Sequence, residues 1–255
     1  MIFQSKSRFR MYVLRSAIVI VLLAVFVLGL NLVLNLTVLT NHREAVSLWD
    51  AWERYHYYYT PATAKKIALT FDDGPVPSNT LAIADVLEKH DVPATFFFIG
   101  EKILKSPDIA REVSARGFTI RNHTFTHSFH VHDTKERLAR ELNATSYLIE
   151  RVVGVRPTYY RPPYLLAVGI DPAPNPYIEQ VPGILWALEL GYVPVGIDID
   201  TGDWKAKSQE EIVSAALSFS ENEHILLMHD EKITAEALET VIIRLRDAGY
   251  ELVSL

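Results

Sequence analysis

The sequence predicts an α/β fold, a distorted (β/α) barrel with about seven parallel strands, preceded by one N-terminal transmembrane helix. Short apolar runs alternate with helical patterns along most of the chain, which is typical of a parallel sheet covered by helices. Polar residues follow nearly every predicted strand, as they do in barrels whose functional residues lie at strand ends. A doubly wound open sheet is the second choice.

A long uncharged run, residues 17–39, predicts the transmembrane helix. Basic residues and no acids precede the run: Lys6, Arg8, Arg10 and Arg15. The positive-inside bias therefore places residues 1–16 in the cytoplasm as a basic segment, residues 17–40 in the membrane as an anchor, and the remainder outside. A cleaved signal peptide is the alternative, although its apolar core is usually shorter and no clear small-x-small cleavage site follows Leu39.

Residues 41–63 are predicted to be a tether, and residues 64–255 are predicted to form a single domain. The chain contains no cysteine, which excludes disulfides, thiolate metal sites and cysteine nucleophiles. Beyond residue 40, 21 Lys and Arg residues face 31 Asp and Glu residues, a net charge of −10. Such a body repels nucleic acid, so no nucleic-acid partner is expected.

Strands are predicted at seven short apolar runs that alternate with the helical patterns. The predicted strands are 65–71, 94–99, 118–121, 158–160, 192–197, 224–228 and 251–253.

Helices are predicted in the segments between these strands, three of them with capping residues. The predicted helices are 80–90, 107–115, 134–153, 184–190, 209–218 and 234–248. Ser106 with Pro107 is expected to begin the second helix, Asp133 to cap the third, and Ser208 to cap the fifth. The last helix places five apolar residues on one face: Ala237, Leu238, Val241, Ile242 and Leu245.

Polar residues cluster after five of the strands. They are Asp72-Asp73, Asn122-His123 continuing to His127, Arg161 to Tyr164, Asp198 to Trp204, and His229-Asp230. If the strands are parallel, all five groups lie at one mouth of the barrel.

His123 and His127 are four residues apart, so on one helical turn both imidazoles point the same way and can share a metal. A carboxylate such as Asp73 would complete a site with open positions. Its neighbour Asp72 would then face a bound water as general base. Alone, the histidines are equally compatible with ordinary loop residues, and Asp-Asp-Gly-Pro also fits a turn.

Five segments in order, TFDDGP, NHTFTH, RPPY, DTGDW and LMH, resemble the signature motifs of the NodB-type polysaccharide deacetylases, carbohydrate esterase family four. The resemblance covers residues 65 to 255. The run from RPPY to DTGDW is similar to a branch in which the deacetylase domain is fused to a glycosyltransferase, which implies a possible glycosyltransferase partner.

The resemblance implies that Asp73, His123 and His127 hold a divalent metal, most often Zn²⁺, with Co²⁺ or a similar ion as an alternative. It implies that Asp72 is the general base, and that Arg161 orients it.

By the same resemblance, His229 is the general acid that protonates the leaving amine, and Asp203 tunes it. Tyr164 helps to hold the oxyanion through its backbone N–H. Trp204 and Leu227 form the pocket for the acetyl group.

The sequence departs from the family at Arg121 and Leu165, where glycine is frequent, and both residues would reshape the substrate groove. His130 and His132 are expected to be solvated loop residues, with additional metal ligands as the alternative. The Pro-rich loop 169–183 either lines the groove or is a connector.

These features predict a membrane-anchored, extracytoplasmic, metal-dependent hydrolase that removes N-acetyl groups from an N-acetylglucosamine-containing polysaccharide. Peptidoglycan, a chitin-like oligomer and an exopolysaccharide are all candidates. The alternatives are a hydrolase of another C–N bond, such as a cyclic amide or imide, and an inactive polysaccharide-binding module.

Overall fold

A computed structural model describes residues 65–164, 181–218 and 224–255, all within one of two compact units of the chain, Ala51–Leu255. The strands in this part of the chain are β1 (Lys66–Gly74), β2 (Thr95–Phe98), β3 (Thr119–Asn122), β4 (Tyr159–Tyr160), β5 (Val193–Pro194), β6 (Ile199–Asp200), β7 (His224–His229) and β8 (Glu251–Val253). The α-helices in the same ranges are α1 (Pro77–Lys89), α2 (Gly100–Lys105), α3 (Pro107–Ala115), α4 (Lys135–Val153), α5 (Val181–Glu189), α6 (Gln209–Ala216) and α7 (Lys232–Asp247).

The strands form one sheet in the order β5-β4-β3-β2-β1-β7-β6, and every pairing in it is parallel. The eighth strand, β8, pairs with the first residues of β1, ahead of the point where β2 joins it. The predicted parallel α/β architecture is therefore confirmed. The two-residue strand β6 and the short helix α2 were not predicted.

The sheet curls until its two edges approach each other. Val195 donates its N–H to the carbonyl of Tyr160 in β4, and Asp198 donates to Ile225 in β7, at the opposite end of the strand order. Val195 and Asp198 are three residues apart, so their Cα atoms are separated by at most about 11 Å. The two edges of the sheet therefore lie close together. No pairing joins β5 to β6 in the described ranges, so the sheet is a curled half-barrel with a seam.

Side chains alternate between two faces of the sheet. Ile67, Leu69 and Phe71 of β1 pack outward in the main core with residues of the covering helices, such as Val241 of α7. Phe97, Val195 and Ile225 form a small cluster inside the curl. Because alternate residues of a strand share a face, Thr70 and Asp72 point to the inside.

One predicted helix cap differs from the structure, and another is confirmed in position but makes no side-chain bond. Thr134, and not Asp133, caps α4, because its side chain accepts the N–H of Arg137. Ser106 makes no capping bond at α3, where Pro107 supplies the first helical residue. Ser208 does cap α6, and the five apolar residues of α7 are all buried.

The predicted segments 1–16, 17–40 and 41–63 lie outside the described residues. Within the residues that the structure does describe, none of the helices is both long and apolar enough to cross a membrane.

Candidate active site

Side chains from four strand ends meet at one mouth of the half-barrel. Asp72 and His229 stand side by side at the ends of the paired strands β1 and β7. His123 follows β3, and Arg161 follows β4, where its N–H bonds to the carbonyl of Asn122. Parallel strands thus bring together the polar groups that are scattered in the sequence.

A β-bulge lets both adjacent aspartates reach this mouth. Asp72 pairs with Phe97 and Gly74 pairs with Phe98, so Asp73 is the extra residue between them. Its φ of 69° lies in the left-handed region. Regular alternation would have turned Asp73 toward the outer core; the bulge turns its carboxylate toward His123 and His127.

The bulge is held by close packing. A Cβ on Gly74 would lie 2.3 Å from Oδ2 of Asp230 and 2.5 Å from the ring of Phe98, so only glycine fits there. Nζ of Lys102 donates to the backbone oxygen of Asp73. Asp230 donates its N–H to the carbonyl of Asp72, which ties the bulge to the end of β7.

The two histidines approach each other, with ring centroids 4.8 Å apart, but not on the helical turn that the spacing predicted. They lie in an irregular loop in which Thr124 and His127 have φ values of 63° and 54°. The prediction of convergence was right and the predicted local geometry was wrong. The loop conformation places both rings. Its N–H groups at 124–126 bond to the side chains of Asn122 and Glu141 and not along a helix.

Asp73, His123 and His127 form a group that fits a divalent metal. Nε2 of His123 and Nε2 of His127 lie 3.3 Å and 3.2 Å from Oδ1 of Asp73, and the possible ligand atoms all lie within 4.8 Å of one another. Among the described residues, no side chain or backbone group makes a hydrogen bond of good geometry to the buried Oδ1 of Asp73, which suits a metal-ligand atom. Nδ1 of His123 bonds to the carbonyl of Arg161 at 2.8 Å, which leaves Nε2 for the metal.

The electrostatics of this group also suit a cation. Burial by itself raises the pKa of Asp73, but the two imidazoles outweigh burial and hold it well below its usual range. Burial lowers the pKa of His123, yet the carboxylates of Asp72 and Asp73 raise it overall. Burial and the neighbouring His123 lower the pKa of His127. A metal that binds here would compete with a proton for His123.

Asp72 sits beside the metal group in a buried ion pair. Its Oδ1 accepts a hydrogen bond from Arg161 at 2.7 Å, and its Oδ2 lies 3.6 Å from Nε2 of His123. The guanidinium of Arg161 is fully buried, lies 4.1 Å from the centroid of the Phe97 ring, and also donates to Thr70 and to the carbonyl of Gly196. These contacts fix the direction of the Asp72 carboxylate.

His229 is paired with Asp203. Nδ1 of His229 lies 2.7 Å from Oδ1 of Asp203, while Oδ2 of Asp203 accepts from the backbone N–H of His229 and from Thr234. Burial lowers the pKa of His229, but the hydrogen bond and the charge of Asp203 outweigh burial and raise it to about 9. At neutral pH this imidazole is therefore protonated and can donate a proton.

The three residues predicted to contact the acetyl group or the oxyanion differ in how far they are buried. Leu227 is fully buried on the inner face of β7, two residues before His229. Trp204 is largely exposed in the 3₁₀ turn Asp203–Lys205. Tyr164 is about half exposed, and its ring lies 4.9 Å from that of His127.

Comparison with known proteins assigns the family. The model of the polysaccharide deacetylase family matches residues 60–168. A peptidoglycan-N-acetylglucosamine deacetylase of Bacillus cereus is 31% identical over 209 residues, which cover 80% of this chain and 72% of that protein. The chain belongs to the polysaccharide deacetylase family.

Other relatives agree with this assignment. A chitooligosaccharide deacetylase of Rhizobium leguminosarum bv. trifolii is 32% identical over 75% of this chain and 90% of its own length. The solved structure of the Bc1960 peptidoglycan N-acetylglucosamine deacetylase superposes with a TM-score of 0.67 at 30% identity, covering 76% of this chain and 88% of that one. The family and the enzyme class predicted from the five motifs, polysaccharide N-deacetylase, are confirmed.

Two residues of this polysaccharide deacetylase hold the histidine loop in place, and this role was not predicted for either from the sequence. The carboxylate of Glu141, in α4, accepts the backbone N–H groups of Phe125 and Thr126 at 2.8 Å and so holds the histidine loop. The buried amide of Asn122 accepts the N–H of Thr124 and donates to the carbonyl of Leu142. Asn122 lies within a motif, whereas nothing local marks Glu141.

Other predicted residues lie apart from the metal group. His130 is largely exposed and pairs with Asp133 at 3.1 Å, as expected of a loop histidine. The side chain of His132, Leu165, and residues 169–180 of the Pro-rich loop lie outside the described residues. Arg121 places its guanidinium 5.3 Å from the centroid of the Tyr159 ring.

Proposed function

We propose that this deacetylase is a metal-dependent hydrolase that removes N-acetyl groups from an N-acetylglucosamine-containing polysaccharide. The observation that carries the proposal is the convergence at one mouth of a metal-ligand group, a buried carboxylate and a protonated imidazole. Amide hydrolysis requires a base for the attacking water and an acid for the leaving amine, and this mouth supplies both.

A divalent metal, Zn²⁺ or a similar ion such as Co²⁺, would be held by Asp73, His123 and His127 and would act as a Lewis acid toward water and the amide carbonyl. Asp72 takes one proton from the attacking water while the oxygen of that water bonds to the carbonyl carbon. Arg161 keeps that carboxylate pointed at the water through its 2.7 Å hydrogen bond. Tyr164 is proposed to stabilise the oxyanion through its backbone N–H.

His229 completes the reaction by donating its proton to the amide nitrogen as the C–N bond breaks. Asp203 holds the imidazole by Nδ1, so that Nε2 carries the proton toward the substrate. The balance is one amide and one water giving acetate and the sugar ammonium. Leu227 and Trp204 are proposed to contact the acetyl methyl.

The relatives named as deacetylases of peptidoglycan and of chitooligosaccharides favour a polymer with N-acetylglucosamine units. Exopolysaccharide remains a third candidate on the same chemistry. All three polymers present the same N-acetyl group to the site.

The test is acetate release by the purified full chain with N-acetylglucosamine oligomers and with peptidoglycan, in added Zn²⁺ and in a chelator. We expect release that needs the metal. Asp72→Asn should still bind Zn²⁺ but lose about 10²-fold or more in kcat, because it loses the base and keeps the ligands. Asp108→Asn, which alters an exposed Arg–Asp pair on α3, is the matched control. A folded, Zn²⁺-loaded protein that releases no acetate from any of these substrates would contradict the proposal.

A further inference from the structure

A row of rings leads away from the metal group across the protein surface. The ring of Tyr164 lies 4.9 Å from that of His127, and the ring of Phe129 lies 5.5 Å further on. We call these three side chains the aromatic row. Phe129 is 64% exposed and Tyr164 is 49% exposed, so the row presents apolar faces to solvent beside the site. None of the roles assigned above uses Phe129.

The far end of the aromatic row is firmly anchored. Phe129 opens the 3₁₀ turn Phe129–His132, and Ser128 caps this turn by accepting the N–H of His130. Two residues on, Val131 is fully buried against Leu138 of α4. The exposed ring is therefore carried on a fixed turn.

The middle of the row has an uncommon backbone. Tyr164 has a φ of 58°, which a bulky residue rarely adopts because its Cβ is crowded there. Such conformations are concentrated at binding and catalytic sites, where the surrounding structure maintains them. The conformation therefore supports a binding role for this ring.

The chemistry of the surface around Phe129 matches a sugar ring. A pyranose has an apolar C–H face that packs on an aromatic ring, and a rim of hydroxyls that needs hydrogen-bond partners. Phe129 offers the apolar face. The imidazole of His130 stands edge-on to it, with ring centroids 5.8 Å apart, and forms an ion pair with Asp133 that offers polar atoms beside it.

We propose that the aromatic row binds the sugar adjacent to the one that is deacetylated, with Phe129 as the residue that makes the enzyme favour longer oligomers. The row begins at a proposed metal ligand, so a polymer whose acetyl group lies at the metal extends over Tyr164 toward Phe129. This inference rests on the proposed function for the position of the reacting sugar.

The experiment compares the Zn²⁺-loaded full chain with three variants, using N-acetylglucosamine di- and pentasaccharides. Phe129→Ala should lower kcat/KM for the pentasaccharide about three- to tenfold, mainly through KM, and lower it less for the disaccharide. Phe129→Trp, which keeps an aromatic face, should restore the preference. Tyr147→Ala, which removes an exposed ring from α4, is the matched control and should leave the preference unchanged.

An equal loss on both substrates, or no loss, would overturn the inference while leaving the proposed function intact. Direct titration of the pentasaccharide into each protein separates the two ideas. If the wild type releases no acetate but binds the pentasaccharide, and Phe129→Ala weakens that binding, the row stands and the proposed function fails. A wild type that binds no pentasaccharide overturns the inference.

Discussion

Asp72 and Asp73 are neighbours in the chain, but their carboxylates have different surroundings. Asp72 is buried and bonded to Arg161, while the nearest partners of Asp73 Oδ1 are two imidazole nitrogens. The carboxylate of Asp73 is thus placed to bind a cation, whereas the carboxylate of Asp72 is held in a fixed direction beside it. Single-residue changes should separate these tasks.

Asp203 sets the protonation of His229, and this gives a pH prediction. The acid must be protonated, so activity should be present below a pKa of about 9 and be lost as the pH rises through it. Asp203→Asn removes the charge that raises this pKa, so the alkaline limb of kcat/KM should move down by about one pH unit or more. The pH profile of acetate release measures this shift. Asp108→Asn should leave the limb in place; an unmoved limb in Asp203→Asn would refute the assignment of the acid.

Arg161 should matter for stability as well as for rate. Arg161→Met leaves the Asp72 carboxylate buried without its partner, which should lower the free energy of unfolding by about 3–5 kcal/mol. Urea unfolding of the metal-free protein measures the loss. The double variant Arg161→Met/Asp72→Asn should recover part of it, because the uncompensated charge is gone. Additive losses would show that the two side chains are not coupled.

At the scale of elements, the site depends on where regular structure breaks. The bulge at Asp73 and the irregular loop of His123 and His127 place the ligand atoms, and both contain left-handed residues. The bulge also needs Gly74, since the space for a Cβ is filled by Asp230 and Phe98.

Gly74→Ala should therefore weaken metal binding although it changes no ligand. The new methyl would displace the bulge, which should cost about 1–3 kcal/mol of stability and lower Zn²⁺ affinity. Competition with a metal-binding dye measures the affinity. Gly117→Ala is the control: its φ of 90° makes the substitution strained, but no atom of the described residues lies within 4 Å of the new Cβ. It should lose stability and keep the affinity. Equal affinity in both variants would contradict the role of the bulge.

Much of the fold could be predicted because long amphipathic patterns, such as that of α7, are decided locally. The two-residue strand β6 could not be predicted, because its pairing with β7 depends on residues far along the sequence. Thr134 and Asp133 are both good capping residues, so composition alone could not choose between them.

The candidate site divides in the same way. Its residues could be named from motifs, and the parallel strands bring them together as expected. The bulge could not be foreseen, because Asp-Asp-Gly-Pro also fits an ordinary turn. Glu141 could not be found either: its partners are two backbone N–H groups, at Phe125 and Thr126, which leave no pattern in side-chain types.

At the scale of the whole molecule, the proposed location rests on residues 17–40, which we expect to hold the enzyme in the membrane with its N-terminus in the cytoplasm. A glycosyltransferase partner stays a prediction from motif resemblance. Both concern how the enzyme meets its polymer, and neither alters the chemistry at the mouth.

The anchor can be tested by fractionating bacterial cells that express the chain. The full chain should sediment with membranes and resist a high-salt wash, whereas a chain lacking residues 1–40 should be soluble. Leu22→Lys/Phe26→Lys should release the protein, because two charges in the apolar run oppose insertion. Leu22→Val/Phe26→Leu is the matched control and should stay with the membrane. A full chain recovered in the soluble fraction would contradict the anchor.

The seam of the half-barrel has a consequence for how the enzyme behaves in solution. An open sheet usually exposes edge strands that can recruit the edge of another molecule and start aggregation. Here the flanking strands β5 and β6 are only two residues long, and a short link keeps them facing each other. The two edges at the seam therefore offer a neighbouring molecule almost no backbone hydrogen-bonding groups to pair with. We expect the open seam not to promote edge-to-edge aggregation.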